Sequence, residues 1–336
     1  MRKVWIRDFA LYVPKTRVGY REISRANGLP PLVVRDKQGI VSKPIERRLS
    51  TSEMSVRTVR ALVRRNPGTA RTVEFLVYAG AEFKDHYIWT AGPKIGWEAL
   101  HRDVLAFDIS SQCVGSLVGV DFAKSKLQTS PNGGSSAVVT VSTKQSMLVN
   151  YSEPRLAFIN DFSDGSVSIL LASEGGGRYE VLQSSFVTDG RFSEVIYAPF
   201  GERHTSAKEG WDYRTILKET RDWRDEMQGV SASNFERVIL GSLEKSGFGI
   251  RDVAYLAMLH MKRSFHEKIL RGLGVPPDRT TYLDRFGHMQ GADPFVSLHL
   301  AERRHKLREG DVVVLVSAGT GWTWGATTLV AGGGSR

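Results

Sequence analysis

Cys113 is the only cysteine in the chain. It stands where an apolar strand at 104–109 (VLAFDI) gives way to a small-residue helix at 114–127. A thiol at that junction faces unpaired backbone N–H groups and the positive end of the helix, and both favour the nucleophilic thiolate. A strand–turn–helix junction also lifts a side chain into a pocket and offers backbone donors for an oxyanion. The other reading is a buried structural cysteine, a small hydrophobe with no chemistry. A cysteine nucleophile needs a base and oxyanion donors. His260 closes the apolar run at 253–259, and His288 lies in the glycine-flanked loop Phe286-Gly287-His288-Met289-Gln290-Gly291. The other histidines have no comparable setting, and no HxxxH, HExxH, P-loop or GxGxxG spacing occurs.

The elements that must position these residues alternate between helix and strand, which predicts an α/β fold. Strands are expected at 4–13, 73–79, 104–109, 137–141, 167–172, 253–259, 312–316 and 322–330. Helices are expected from Ser50-Thr51-Ser52, where Glu53 complements the first turn, and at 114–127, 262–273 and 294–307. The 114–127 helix is apolar or small over most of its surface, so it belongs inside the protein. Residues 176–235 read as the least regular stretch. VEFLVYAGAE is similar to VAYLAMLHMK, and FSDGSVSILLAS to GTGWTWGATTLV. This likeness predicts two similar halves, 1–175 carrying the cysteine and 176–336 carrying the histidine loops.

With 336 residues, 41% of them hydrophobic and 24% charged, the chain has the composition of a folded protein with ample core. One cysteine rules out an intramolecular disulfide and any multi-cysteine metal site, and points to a reducing, cytoplasmic compartment. No apolar run is long enough for a membrane span, and MRKVWIRDFALYVP, interrupted by Asp8, does not read as a signal peptide. The net charge of +10 calls for an acidic ligand or partner, or is a solvated basic surface. The basic clusters are not interleaved with aromatics as a nucleic-acid track would be, so nucleic acid is not expected.

Five segments in order carry a family resemblance. FDISSQCVG resembles the nucleophile segment of the ketoacyl-acyl-carrier-protein synthase III group of the thiolase superfamily. FSDGSVSILL resembles its Gly-Asp-Gly strand entry, VAYLAMLH its strand ending in histidine, LDRFGHMQGADP its Gly-Asn loop, and LVSAGTGWTWGATTLV its closing hairpin. The resemblance implies a thiolase-like five-layered αβαβα fold from two pseudo-repeats, and a homodimer. It implies no permanently bound cofactor, with coenzyme A or phosphopantetheine thioesters as substrates. Acyl groups would load from acyl-CoA or acyl carrier protein onto Cys113. His260 would hydrogen-bond the thioester carbonyl, and the amides of Cys113 and Thr320 would form the oxyanion hole. Tyr87 and Ile88 fall where a partner subunit closes the acyl pocket.

The leading expectation from this resemblance is Claisen condensation, but the sequence departs from the family at one telling place. His288 stands where the family has asparagine. A neutral histidine can donate one hydrogen bond there, or act as a base on an alcohol or amine acceptor, which would make esters or amides. Asp293, five residues on, could orient that histidine, although capping the following helix is the expected role. Glu82 resembles the catalytic glutamate of hydroxymethylglutaryl-CoA synthases, which would imply an aldol-type condensation; pairing with Lys84 or an arginine is the plainer reading. Lys262, Arg263, Lys268 and Arg271 follow His260 on one helix near the family's tunnel mouth, where an acidic carrier or coenzyme A phosphates would bind. A non-catalytic partner subunit is the reading from another class.

Overall fold

Nine strands make one mixed sheet in the computed structural model, which describes residues 2–80, 84–86, 89–131, 135–197, 216–217 and 223–333. The strands are β1 (Trp5–Tyr12), β2 (Val73–Tyr78), β3 (Leu105–Asp108), β4 (Ser136–Lys144), β5 (Asp164–Ala172), β6 (Tyr179–Thr188), β7 (Val253–Met258), β8 (Val312–Gly319) and β9 (Thr323–Ala331). Their order is β7-β8-β9-β6-β1-β5-β4-β2-β3. The longer helices are α1 (Thr51–Arg65), α2 (Ala91–Leu100), α3 (Gly115–Thr129), α4 (Trp223–Lys245), α5 (Arg263–Leu273) and α6 (Asp293–Arg303).

The sheet contains the same four-strand unit twice. In one unit β2 and β4 are parallel, and β5 then β1 follow antiparallel. In the other β7 and β8 are parallel, and β9 then β6 follow antiparallel. The two units join where Trp5 and Ile6 of β1 meet Glu180 and Tyr179 of β6. The internal likenesses in the sequence fall on matching members, β2 with β7 and β5 with β9.

Strand alternation explains the layers. Val77 and Ala79, like Tyr255 and Ala257, face a central core around α3 and α6. Leu76 and Tyr78 face α1 and α2, while Leu256 and Met258 face α4 and α5. Five layers result, with α3 and α6 enclosed between the two half-sheets. The near-continuous apolar surface of α3 is thereby explained: Leu117, Val120, Ala123 and Leu127 have no exposed surface.

Helix α1 starts as its sequence predicts, with Ser50 and Glu53 forming a reciprocal capping box. Within 176–235 the described residues include β6 and the first half of α4, regular elements that the sequence pattern does not predict there. The buried face of α4 contains Met227, Phe235, Val238, Ile239 and Leu243, but also Ser231 and Ser242. Ser231 accepts from Trp324 Nε1 at 2.9 Å, and Ser242 lies 3.1 Å from Thr328 Oγ1. Those two hydroxyls break the apolar periodicity that would have announced the helix. Among the described residues no helix is long and apolar enough to cross a membrane.

Candidate active site

The Cys113 turn is built by a short, strained sequence. Strand β3 ends at Asp108, whose carboxylate accepts the N–H groups of Ala91 (3.0 Å) and Gly92 (2.8 Å) and pairs with Lys84 at 2.8 Å. Four residues on, Gln112 holds φ at 48°, a left-handed value that costs about 1–2 kcal/mol for a residue with a Cβ. Cys113 follows in a single helical turn that runs into α3. Its carbonyl accepts the Ser317 hydroxyl at 2.6 Å, which ties the turn to the end of β8. Gly319 closes in beside it: a Cβ there would sit 2.8 Å from the Cys113 nitrogen. Thr320 comes next, in the β8–β9 turn.

His288 is brought to Cys113 by a second pair of loops. Its N–H donates to the Asp161 carbonyl at 2.8 Å, and its own carbonyl accepts from Ser163 N–H at 2.9 Å. Gly287 before it has φ of 63°, and a Cβ would lie 2.3 Å from the Asp161 oxygen, so only glycine permits this approach. The ring then points at the cysteine, with Nε2 3.1 Å from Cys113 Sγ. Nδ1 lies 2.6 Å from Asp293 Oδ2. Burial alone would push the His288 pKa down. The Cys113 and Asp293 charges outweigh it and hold the value well above the ordinary histidine range.

Asp293 begins α6 and has no exposed surface. Its Oδ1 accepts Met289 N–H at 2.6 Å, and its Oδ2 accepts His260 N–H at 2.8 Å. Orientation of both histidine segments, rather than helix capping, is therefore what this carboxylate does. His260 itself is 3% exposed, and neither ring nitrogen has a hydrogen-bond partner. Burial, reinforced by the neighbouring charges of His288, His266 and Arg263, pushes it down to about 3, so its imidazole is neutral.

Two further charged groups, marked by no spacing in the sequence, stand behind the histidines. Asp161 Oδ2 is 3.5 Å from His260 Nε2. Burial pushes Asp161 up to about 6, against the pull of His288 and Lys43. Lys43 is 1% exposed, donates to the Phe162 carbonyl at 2.6 Å, and is pushed down to about 8 by burial.

The basic residues after His260 are spread out. Arg263 packs over the Tyr282 ring at 4.2 Å and meets Asp284 at 3.5 Å. Lys262, Lys268 and Arg271 are exposed, with Arg271 3.9 Å from Glu267. Glu82, Tyr87 and Ile88 lie outside the described residues. The structure thus brings Cys113, His260 and His288 together and adds Asp293 and Asp161; Arg263 lies close enough to act on His260, while Lys262, Lys268 and Arg271 are exposed.

Two family models match the chain: 3-oxoacyl-[acyl-carrier-protein] synthase III over residues 107–190 and its C-terminal part over residues 243–331. Together they span just over half of the chain. A beta-ketoacyl-[acyl-carrier-protein] synthase III of Clostridium novyi is 23% identical over 97% of this chain and 98% of its own length. The structure resembles the 3-oxoacyl-(acyl carrier protein) synthase III of Pseudomonas aeruginosa with a TM-score of 0.86 at 17% identity, covering 98% and 99% of the two chains. It resembles ChlB3, titled an acyltransferase, with a TM-score of 0.80 at 16% identity, covering 98% of each chain. One fold thus carries proteins titled with different chemistries, so the site residues have to choose between them.

Proposed function

Because the chain belongs to the 3-oxoacyl-[acyl-carrier-protein] synthase III family of the thiolase superfamily, we propose that it moves acyl groups through a thioester on Cys113, with His288 as the acid–base and Asp293 as its orienter. The observation that carries this reading is the buried chain Cys113 Sγ–His288 Nε2–His288 Nδ1–Asp293 Oδ2, with links of 3.1 and 2.6 Å.

In the first half-reaction Cys113 gives its proton to His288 Nε2. The thiolate attacks the donor thioester, and the departing coenzyme A or phosphopantetheine sulfur takes that proton. Asp293 holds the imidazole in the tautomer that presents Nε2 to sulfur and stabilises the cation that forms. Amides beside Gly319 receive the oxyanion. In the second half-reaction His288 takes a proton from the acceptor, which attacks the acyl carbon, and returns it to the Cys113 sulfur as the thioester breaks.

This arrangement supports an alcohol or amine acceptor. With Nδ1 committed to Asp293, Nε2 is a base facing the reacting sulfur rather than a fixed amide donor. Condensation with a malonyl thioester is the second reading, and membership of the synthase family favours it. A chase separates the two: acyl-loaded enzyme is offered malonyl carrier protein, or short alcohols and amines. An ester or amide supports the first reading; a ketoacyl product with release of carbon dioxide supports the second.

A homodimer is part of the same proposal. Strand β3 lies at the sheet edge, with Leu105 63% exposed, and Trp97 (61%) and Phe122 (40%) exposed on α2 and α3. An unpaired edge flanked by large apolar side chains favours pairing with a second copy. The donor would be acyl-CoA or acyl carrier protein, with the basic face of α5 available to its phosphates or acidic surface.

A further inference from the structure

Each histidine of the site has its own carboxylate, and the two pairs are cross-braced. The Asp293 side chain holds the ring of His288 and the backbone of His260. The Asp161 backbone holds the backbone of His288, and its side chain faces the ring of His260 at 3.5 Å. Asp161 Oδ1 is shielded from solvent yet accepts no hydrogen bond, and neither nitrogen of His260 makes one. Buried polar atoms with unused capacity are uncommon unless they are kept for a ligand or a reaction. Here three such atoms lie on two facing side chains next to the nucleophile's base.

We infer that Asp161 and His260 form the acceptor half of the site, and that this pair selects an acceptor bearing a hydroxyl or amine over one bearing a carboxylate. The inference rests on the Cys113 acyl-enzyme reading. An incoming hydroxyl or amine points the proton it will lose at His288 Nε2 and a lone pair at the acyl carbon; a hydroxyl oxygen accepts from the neutral His260 ring, and Asp161 Oδ1 accepts the second hydrogen of water or an amine. Its proton passes to His288 Nε2 as the new bond forms, and then to Cys113 sulfur as the C–S bond breaks. A malonyl carboxylate in the same place would meet a buried carboxylate at short range, where repulsion is weakly screened. The Lys43 charge acts on Asp161, while its ammonium group is committed to the Phe162 carbonyl at 2.6 Å and packs over the Tyr151 ring at 5.3 Å. It supplies the counter-charge that lets a carboxylate stay in this place.

The test measures two rates by intact-protein mass spectrometry: gain of an acyl group on Cys113 from acyl-CoA or acyl carrier protein, and loss of that group to water or 1-butylamine. Water serves as the smallest hydroxyl acceptor. Asp161→Asn is expected to slow acyl loss about tenfold or more while slowing loading by about threefold or less. His260→Gln is expected to show the same asymmetry, and the double variant to be no slower than the slower single one, because the two side chains act as a pair. Acyl loss at the wild-type rate in Asp161→Asn, or effects of the two substitutions that multiply, would overturn the inference. Asp161→Glu keeps the charge next to Lys43 and moves the oxygens by one methylene. It covers the case in which the asparagine variant does not fold, with the same selective loss expected and wild-type acyl loss overturning the inference. Failure of the wild type to load at all would instead sink the acyl-enzyme reading, so the two failures are distinguishable.

Discussion

The Oδ2 atom of Asp293 stands 2.6 Å from Nδ1 of His288, and the same oxygen accepts the backbone N–H of His260 at 2.8 Å. One buried carboxylate thereby fixes the ring that faces Cys113 and the end of the strand that delivers the second histidine. Asparagine, the residue the family has in place of His288, needs no such partner. The aspartate and the histidine make sense together.

Asp293→Asn keeps the shape but turns one acceptor into a donor among three N–H partners, and the imidazole loses the anion that selects its tautomer. Acyl transfer is expected to fall by about 100-fold or more with the protein still folded. The rate at which Cys113 reacts with iodoacetamide, followed against pH, reports the cause. The variant should need a higher pH for the same reactivity, whereas a pH profile identical to wild type would show that Asp293 has no bearing on the thiol.

The nucleophile turn depends on Ser317. Its hydroxyl donates to the Cys113 carbonyl in a fully buried place. Ser317→Ala removes that buried hydrogen bond and is expected to cost about 1 kcal/mol, read as a drop in chemical-denaturation midpoint. Gly319→Ala puts a methyl group 2.8 Å from the Cys113 nitrogen. It is expected to impair loading of the cysteine more than it impairs stability. Normal loading in that variant would separate the β8–β9 turn from the oxyanion role.

The buried histidines set an acid limit on stability. Burial pushes His260 down to about 3 and His266 down to about 4, Arg263 adding to both. Their folded values lie below the unfolded value of about 6.5, so the unfolded chain binds more protons between these limits. The contribution of these two histidines to stability is complete above about pH 6.5 and is lost as pH falls toward 4. Asp161, pushed up to about 6, opposes this loss, because it takes a proton in the folded state first. His266→Phe removes one titration outside the reacting cluster, and its melting temperature should fall less than that of wild type between pH 6.5 and 4.5. An unchanged slope would mean that His266 does not titrate in this range.

The exposed edge predicts assembly. Light scattering should give the mass of a dimer. Leu105→Lys combined with Trp97→Glu should give a monomer with the Cys113 turn intact, judged by near-ultraviolet circular dichroism. A wild-type monomer at micromolar concentration would contradict the proposed pairing along β3.

Much of this organisation was legible in the sequence for physical reasons that can be named. Cys113 announced itself because an apolar strand followed by small helical residues leaves few ways to bury a thiol without facing a helix end. The Ser50–Glu53 box marked the start of α1 because both partners lie within one turn. His288 stood out through its flanking glycines, which the close approach to Asp161 requires. Helix α4 was hidden by Ser231 and Ser242, whose partners on β9 lie far away in sequence. Asp293 was visible but misjudged, since an aspartate at a helix start looks like a cap until three N–H groups are seen to converge on it. Asp161 could not be found at all: its significance lies in contacts with residues 43, 260 and 288, and no local pattern encodes them.

The central claim is a covalent acyl-enzyme on Cys113, and intact-protein mass spectrometry tests it most directly. The protein is incubated with acyl-CoAs and acyl carrier proteins of graded chain length, beside Cys113→Ala. A gain of one acyl group in the wild type, absent from Cys113→Ala and formed more slowly in Asp293→Asn, is the predicted result. A folded protein with a free thiol that gains no mass from any donor would contradict the account and leave a non-catalytic role for this fold.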